Sequence, residues 1–157
     1  MTPRKELFIK TKEALMTIPE LELVDFYRNQ FSDSKDNYPD IWTAALIKIN
    51  AIQWQSMTEG IQEGNASIDI TLYCKDGWMD QHSGTSDPEH GLIEIDLMDL
   101  IAEKLHGLKG DYFKPLDLTD DEPDKEEADV LSFRLSFSTV LYRRLNYGYK
   151  KVKLTHT

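Results

Sequence analysis

Residues 131–143, LSFRLSFSTVLYR, alternate apolar and polar side chains with a period of two, and Arg144 follows directly. Leu131, Phe133, Leu135, Phe137, Thr139 and Leu141 share one parity; Ser132, Arg134, Ser136, Ser138, Val140 and Tyr142 share the other. Successive side chains on a strand point to opposite faces, so this pattern predicts a half-buried strand of antiparallel type with one wet face. A dozen or so residues at ~3.4 Å each span ~40 Å, about twice the common strand length. A strand that long forms the spine of a sheet, and the remaining segments must pack around it.

Two segments have helical rather than strand periodicity. Thr2 and Pro3 form an N-terminal helix signal. Leu7, Phe8, Thr11, Ala14, Leu15 and Ile18 then recur at three- and four-residue spacings, which predicts a helix over residues 3–17 that Pro19 ends. Over residues 91–108, Ile93, Leu97, Leu100, Ile101, Leu105 and Leu108 share a second helical face, with Gly107 and Gly110 at its exit. Acids at Glu94, Asp96 and Asp99, followed by Lys104, His106 and Lys109, match the helix dipole.

The other segments read as extended. Residues 21–30 predict a strand, and residues 31–39 a loop dense in turn formers. Residues 41–57 fit either a helix or two strand pieces whose parity flips near Asn50, as a β-bulge flips it; β-branched and Trp content favours strand. Gly60 and Gly64-Asn65 mark a hairpin connection. Residues 66–75 then alternate cleanly, with Cys74 on the apolar side. Residues 76–90 form a polar loop, residues 112–118 a short extended piece interrupted by Pro115, and residues 119–129 an acidic loop. The order is α-β-β-β-α-β-β. It predicts an α+β two-layer sandwich: a mainly antiparallel sheet of four to five strands with two helices on one face. At 157 residues the expectation is a single domain over 1–157, with a core of about 3–143 and a basic tail over 144–157.

Composition excludes several classes of function. Eighteen basic against 28 acidic residues leave a net charge of −10, which argues against non-specific nucleic-acid binding. No apolar run reaches the length of a membrane span or a signal peptide, so a cytoplasmic origin is expected. One cysteine permits no intrachain disulfide, and Cys74 reads as a buried, inert thiol. No zinc spacing, phosphate-binding glycine loop or nucleophile elbow is present. No catalytic residue, cofactor or metal ligand is therefore assigned. His82 and His90 among Asp80, Asp87 and Glu89 are the nearest approach to a metal cluster, and a metal-dependent hydrolase built on Asp80, His82, Asp87 and His90 is the reading least favoured.

Charge is distributed unevenly. Residues 111–129 hold nine acids against Lys114 and Lys125, whereas five bases and no acid follow Tyr142. Solvated faces are the plain explanation. The other is that oppositely charged ends meet on neighbouring copies. The interface residues this second explanation selects are Asp120, Asp121, Glu122, Asp124, Glu126, Glu127, Tyr142, Arg143 and Arg144. Because two helices cover only part of a ~40 Å strand, the stretch 139–144 is expected to project as an intersubunit strand.

The whole arrangement resembles the tail terminator, or tail completion, family of long-tailed bacteriophages and the related minor tail and head–tail joining proteins. The resemblance rests on the N-terminal helix followed by a strand and a loop ending at Tyr38-Pro39, and on Glu59-Gly60, Gly64 and the alternating run Ser67 to Tyr73. It rests further on a second helix ending Leu105-His106-Gly107-Leu108, and on an acidic loop leading into the long last strand. It covers roughly residues 3–143. The longer loop at 76–90 and the basic tail depart from the family's pattern. The resemblance implies a non-enzymatic virion protein, made in the bacterial cytoplasm, that assembles as a ring, commonly a hexamer. Such rings cap the tail tube and meet the neck or connector proteins, with no nucleic-acid or membrane partner. The alternative class is a small acidic protein-binding module, of immunity or regulatory type, that masks a basic partner.

Overall fold

The computed structural model describes residues 1–30, 43–74, 83–84, 86–89, 92–123 and 131–145. Helix α1 spans Pro3–Leu15 and α2 spans Ile93–Leu105; the strands are β1 Leu23–Phe26, β2 Thr43–Ile49, β3 Gln53–Thr58, β4 Ile61–Cys74, β5 Asp117–Pro123 and β6 Leu131–Arg144. The class is α+β as expected. The sheet has six strands rather than four or five, and it is mixed: β1 runs parallel to β2 while every other pairing is antiparallel. Its order is β1-β2-β4-β6-β5, with β3 also on β4.

The spine is a ribbon of two strands. All fourteen residues of β6 pair with all fourteen of β4, from Ile61↔Arg144 to Cys74↔Leu131. The long alternation of 131–143 needed a partner of equal length. β4 supplies it by starting at Ile61, five residues before the expected start at Ala66. Gly64 and Asn65 therefore lie inside the strand, and the turn is the two-residue link Glu59-Gly60, with Gly60 at φ 76°. Gly64 is required for another reason. A Cβ there would lie 2.7 Å from Ile52 Cγ2 and 2.7 Å from Trp54 Cε3, so the two side chains across the ribbon close over bare backbone.

Of the segment 41–57 that the sequence left open between helix and strand, residues 43–49 and 53–57 are strand, and residues 41 and 42 lie outside the described residues. β2 and β3 lie end to end along the same side of β4, broken near Asn50. Ile49 opposes Ile68 and Gln53 opposes Asn65, so three residues (Asn50, Ala51, Ile52) face two (Ala66, Ser67). That one-residue excess is a β-bulge, and it moves the inward parity from Ala45 and Ile47 to Ile52 and Trp54.

One hydrophobic core lies between the sheet and both helices. Leu7 and Leu15 of α1 and Leu97, Ile101 and Leu105 of α2 meet Ile68, Ile70, Leu72, Leu135, Phe137 and Leu141. In α2 the inward stripe is Glu94, Leu97, Ile101 and Leu105, whereas Ile93 is 57% exposed, contrary to its expected place on the apolar face. The helix begins at Ile93, two residues later than expected, and its first inward position falls at Glu94.

The opposite face of the sheet is not uniformly wet. Ala44 and Leu46 form a second small cluster there with Leu23, Tyr27 and Tyr73, and Thr71 and Ser132 are buried. Nearer the centre that face is polar. Asp69 accepts hydrogen bonds from Asn50 Nδ2 at 3.0 Å and from Ser136 Oγ at 2.7 Å.

Glu6 ties the N-terminal helix to the exit of α2. Its carboxylate is buried and accepts hydrogen bonds from the backbone N–H groups of Asp111 and Tyr112, both at 2.9 Å. A buried carboxylate needs such donors to offset its lost hydration. The clamp lays residues 112–114 along β6: Phe113 bridges Leu141, Lys114 N–H donates to Val140 O, and Tyr142 N–H donates to Tyr112 O.

Candidate functional site

The long ribbon separates charge along its length. At the far end of β6, Arg143 shares the inward face of Leu141 and Thr139. Its guanidinium carbon stands 3.8 Å from the Trp54 ring centroid, and its Nε donates to Gln62 Oε1 at 2.9 Å. Arg4, from the first turn of α1, approaches the same indole at 6.0 Å. Gly64 makes room for the ring beneath. Arg4, Trp54 and Arg143, with Tyr112, Arg144 and Leu145, line an open cleft of about 430 Å³. Among the described residues, no carboxylate pairs with Arg4, Arg143 or Arg144. The Trp54 indole N–H is closed off from water and has no acceptor among the described residues. In a chain of net charge −10, two arginines at one aromatic ring and a third lining the same cleft, with no carboxylate partner among the described residues, make a local anion-attracting surface.

Tyr142 points to the other face. Its hydroxyl donates to Glu63 Oε1 at 3.5 Å, and Lys114 Nζ lies 5.6 Å from its ring centroid. Hydrogen bonding to Tyr142 raises the Lys114 ammonium above its ordinary value. Arg144 is exposed at the end of the strand.

The acidic residues lie elsewhere. Asp120, Asp121 and Glu122 do not sit in a loop: they belong to β5, the strand at the other border of the sheet. The extended piece expected over 112–118 is thus displaced, with residues 112–114 along one half of β6 and β5 along the other. Asp117, Asp120 and Asp121 are exposed, and Glu122 is ion-paired with Arg134. His106 Nδ1 accepts from Leu118 N–H at 3.2 Å and holds the start of the strand. Asp121 opposes Leu135, which is buried under the helices, so its carboxylate stands on the helix-covered face; Asp120 opposes Ser136 on the other. Arg134 and Arg143 are nine residues apart on β6, so the acidic and basic poles are separated by roughly 30 Å. Asp124, Glu126 and Glu127 lie outside the described residues, as does the tail beyond Leu145.

The stretch 139–144 is not free to pair with a neighbour. β4 takes one edge of it and residues 112–114 take the other. Among the described residues, the open edges belong to β1, on the outer side of β2, and to β3 and β5. Arg4, Trp54 and Gln62 were not singled out from sequence. Trp54 was legible only as an inward-facing residue after the bulge; its meeting with Arg143, 89 positions later, depends on the pairing of both strands with β4.

Cys74 is buried at the other end of β4. Burial, with the Glu94 carboxylate adding to it, pushes its thiol up to about 12. Such a thiol is neutral at physiological pH and a poor nucleophile. Of the loop residues considered for metal, Asp80, His82 and His90 lie outside the described residues. Among the described residues no three metal-binding side chains converge. No described helix is long and apolar enough to cross a membrane.

No protein-family model matches the chain, and a search of curated proteins finds no match.

Proposed function

We propose that the protein is a non-enzymatic assembly subunit of the tail terminator type, which forms a ring that closes a phage tail tube and receives the neck or connector proteins. The observation that carries this reading is the placement of unlike charges at opposite borders of one sheet: arginines with no carboxylate partner among the described residues beside β3, and acids along β5. A surface that is basic at one border and acidic at the other complements the next copy head to tail rather than itself. Head-to-tail contacts generate closed rings when the rotation between copies closes. The host cytoplasm is the place of assembly and the virion the destination. Neither nucleic acid nor membrane is a partner in this reading, because the chain's net charge is strongly negative. The reading also keeps the resemblance drawn from the order of elements, since the structure is α+β with two helices on a sheet dominated by antiparallel pairs.

The test is genetic and morphological. Disrupting the coding gene in the phage or prophage that contains it leaves overlong tails and heads without tails. Tails of normal length on filled heads would overturn the proposal.

A further inference from the structure

Besides the four-residue edge strand β1, the sheet has two longer and unlike edges. β3, Gln53-Trp54-Gln55-Ser56-Met57-Thr58, pairs with β4 on one side, and among the described residues its other side makes no backbone hydrogen bond. Five of its six residues are exposed, Met57 at 55%, and none is charged. Proteins ordinarily blunt such an edge with Lys, Pro or a cover, because its unpaired N–H and C=O groups invite another strand. β3 lacks a charge or a proline, and the Arg4–Trp54–Arg143 cleft opens beside it. β5 differs in charge: four of its seven residues are acidic and Pro123 ends it, so its edge is repelled by a second acidic strand and admits one that offers positive charge.

We infer that β3 and the adjoining arginine cleft form a receptor for an extended acidic segment, and that its occupant is the β5 edge of a second copy. This rests on the ring reading and specifies its contact. Three observations converge. Both edges border the same sheet on opposite sides, so joining them continues the sheet from copy to copy. The direction is correct: β3 is antiparallel to β4, β4 to β6 and β6 to β5, so copies in the same orientation bring β5 alongside β3 antiparallel. One β5 acid, Asp121, stands on the face that carries Arg143 and Arg4, so it is the acid that meets the cleft. Main-chain pairing supplies affinity in such strand addition, and side-chain pockets supply selectivity. β3 lies level with the far end of β6 and β5 with its near half, so consecutive copies are staggered by roughly 20 Å along the strands. A closed wall with a fixed stagger has tilted strands, as barrels do.

A labelled peptide spanning residues 114–129 of this sequence, with both ends blocked, tests the contact on the full-length protein. We expect saturable binding that falls with added salt. Arg143→Glu and, from a different element, Arg4→Glu each weaken it about tenfold or more. A control peptide with Asn and Gln in place of its acids does not bind. Circular dichroism identifies a variant that fails to fold; the other variant and the control peptide then decide. Equal binding of the control peptide, or undiminished binding by a folded variant, overturns the inference, as does absence of binding to the unmodified protein. The two levels separate cleanly. Rings that form in Arg143→Glu and Arg4→Glu remove this contact and leave the ring reading standing. A protein that binds the peptide and yet remains a monomer retains the receptor and loses the ring.

Discussion

Arg143 lies over the indole of Trp54, 3.8 Å from guanidinium carbon to ring centroid, although 89 positions separate them. The contact fixes the far end of β6 against β3, across the intervening β4. Arg143→Ala removes a cation–π contact and the packing of the arginine stem, and we expect a loss of about 1–2 kcal/mol by urea titration. Arg143→Lys keeps the charge and gives up the flat stacking and the bond to Gln62, so it recovers only part of that loss.

Glu6 is the second fixed point. Glu6→Ala leaves two backbone donors at Asp111 and Tyr112 without an acceptor, and we expect it to cost about 3 kcal/mol. Residues 112–114 are held along β6 by that clamp. Amide hydrogen exchange at Lys114 and Tyr142 should accelerate in the variant more than exchange at the centre of β4.

Gly64→Ala places a methyl group 2.7 Å from Ile52 and Trp54. We expect about 1–3 kcal/mol of destabilisation from overpacking. The effect is specific to the opposing side chains, so combining it with Ile52→Ala and Trp54→Ala should shrink the increment well below the single-variant cost. An increment that persists in that background would place the strain in the backbone.

Cys74 sets a pH dependence. Its folded pKa lies near 12 against an ordinary 9.0, chiefly through burial and secondarily through Glu94. The thiol is protonated in both states below pH 9. Between 9 and 12 the unfolded chain ionises while the folded chain does not, so the unfolded state binds fewer protons and stability falls as pH rises. The stability difference between the unmodified protein and Cys74→Ala should therefore narrow across that window. Thiol reagents at pH 8 should react at the rate of unfolding rather than at that of an exposed cysteine.

Much of the architecture was legible in local pattern. The 3.6-residue stripe at Leu7, Thr11 and Leu15, the strict alternation of 131–143 and the parity flip near Asn50 each depend on neighbours in sequence, and each corresponds to an observed element. What escaped depends on distant pairing. The start of β4 was obscured because Gly64-Asn65 has the composition of a turn, yet the glycine is there for Trp54 to lie across. β5 was hidden because a run of acids reads as solvated loop, although an edge strand carries charged side chains readily. Glu6 and Glu94 look like ordinary helix acids until tertiary packing turns them inward. The interface residues at Tyr142–Arg144 follow from charge and from the length of the last strand, and structure divides them: Arg143 joins Trp54 and Arg4, while Tyr142 is taken up with Glu63 and Lys114 on the other face.

The solution mass of the purified full-length chain, measured over a range of concentrations at low and high salt and paired with negative-stain images, tests the proposed ring most directly. We expect a closed multiple of the 18.2 kDa subunit that appears as rings and dissociates as salt screens the acidic and basic borders. A single 18.2 kDa species at every concentration and salt would contradict it.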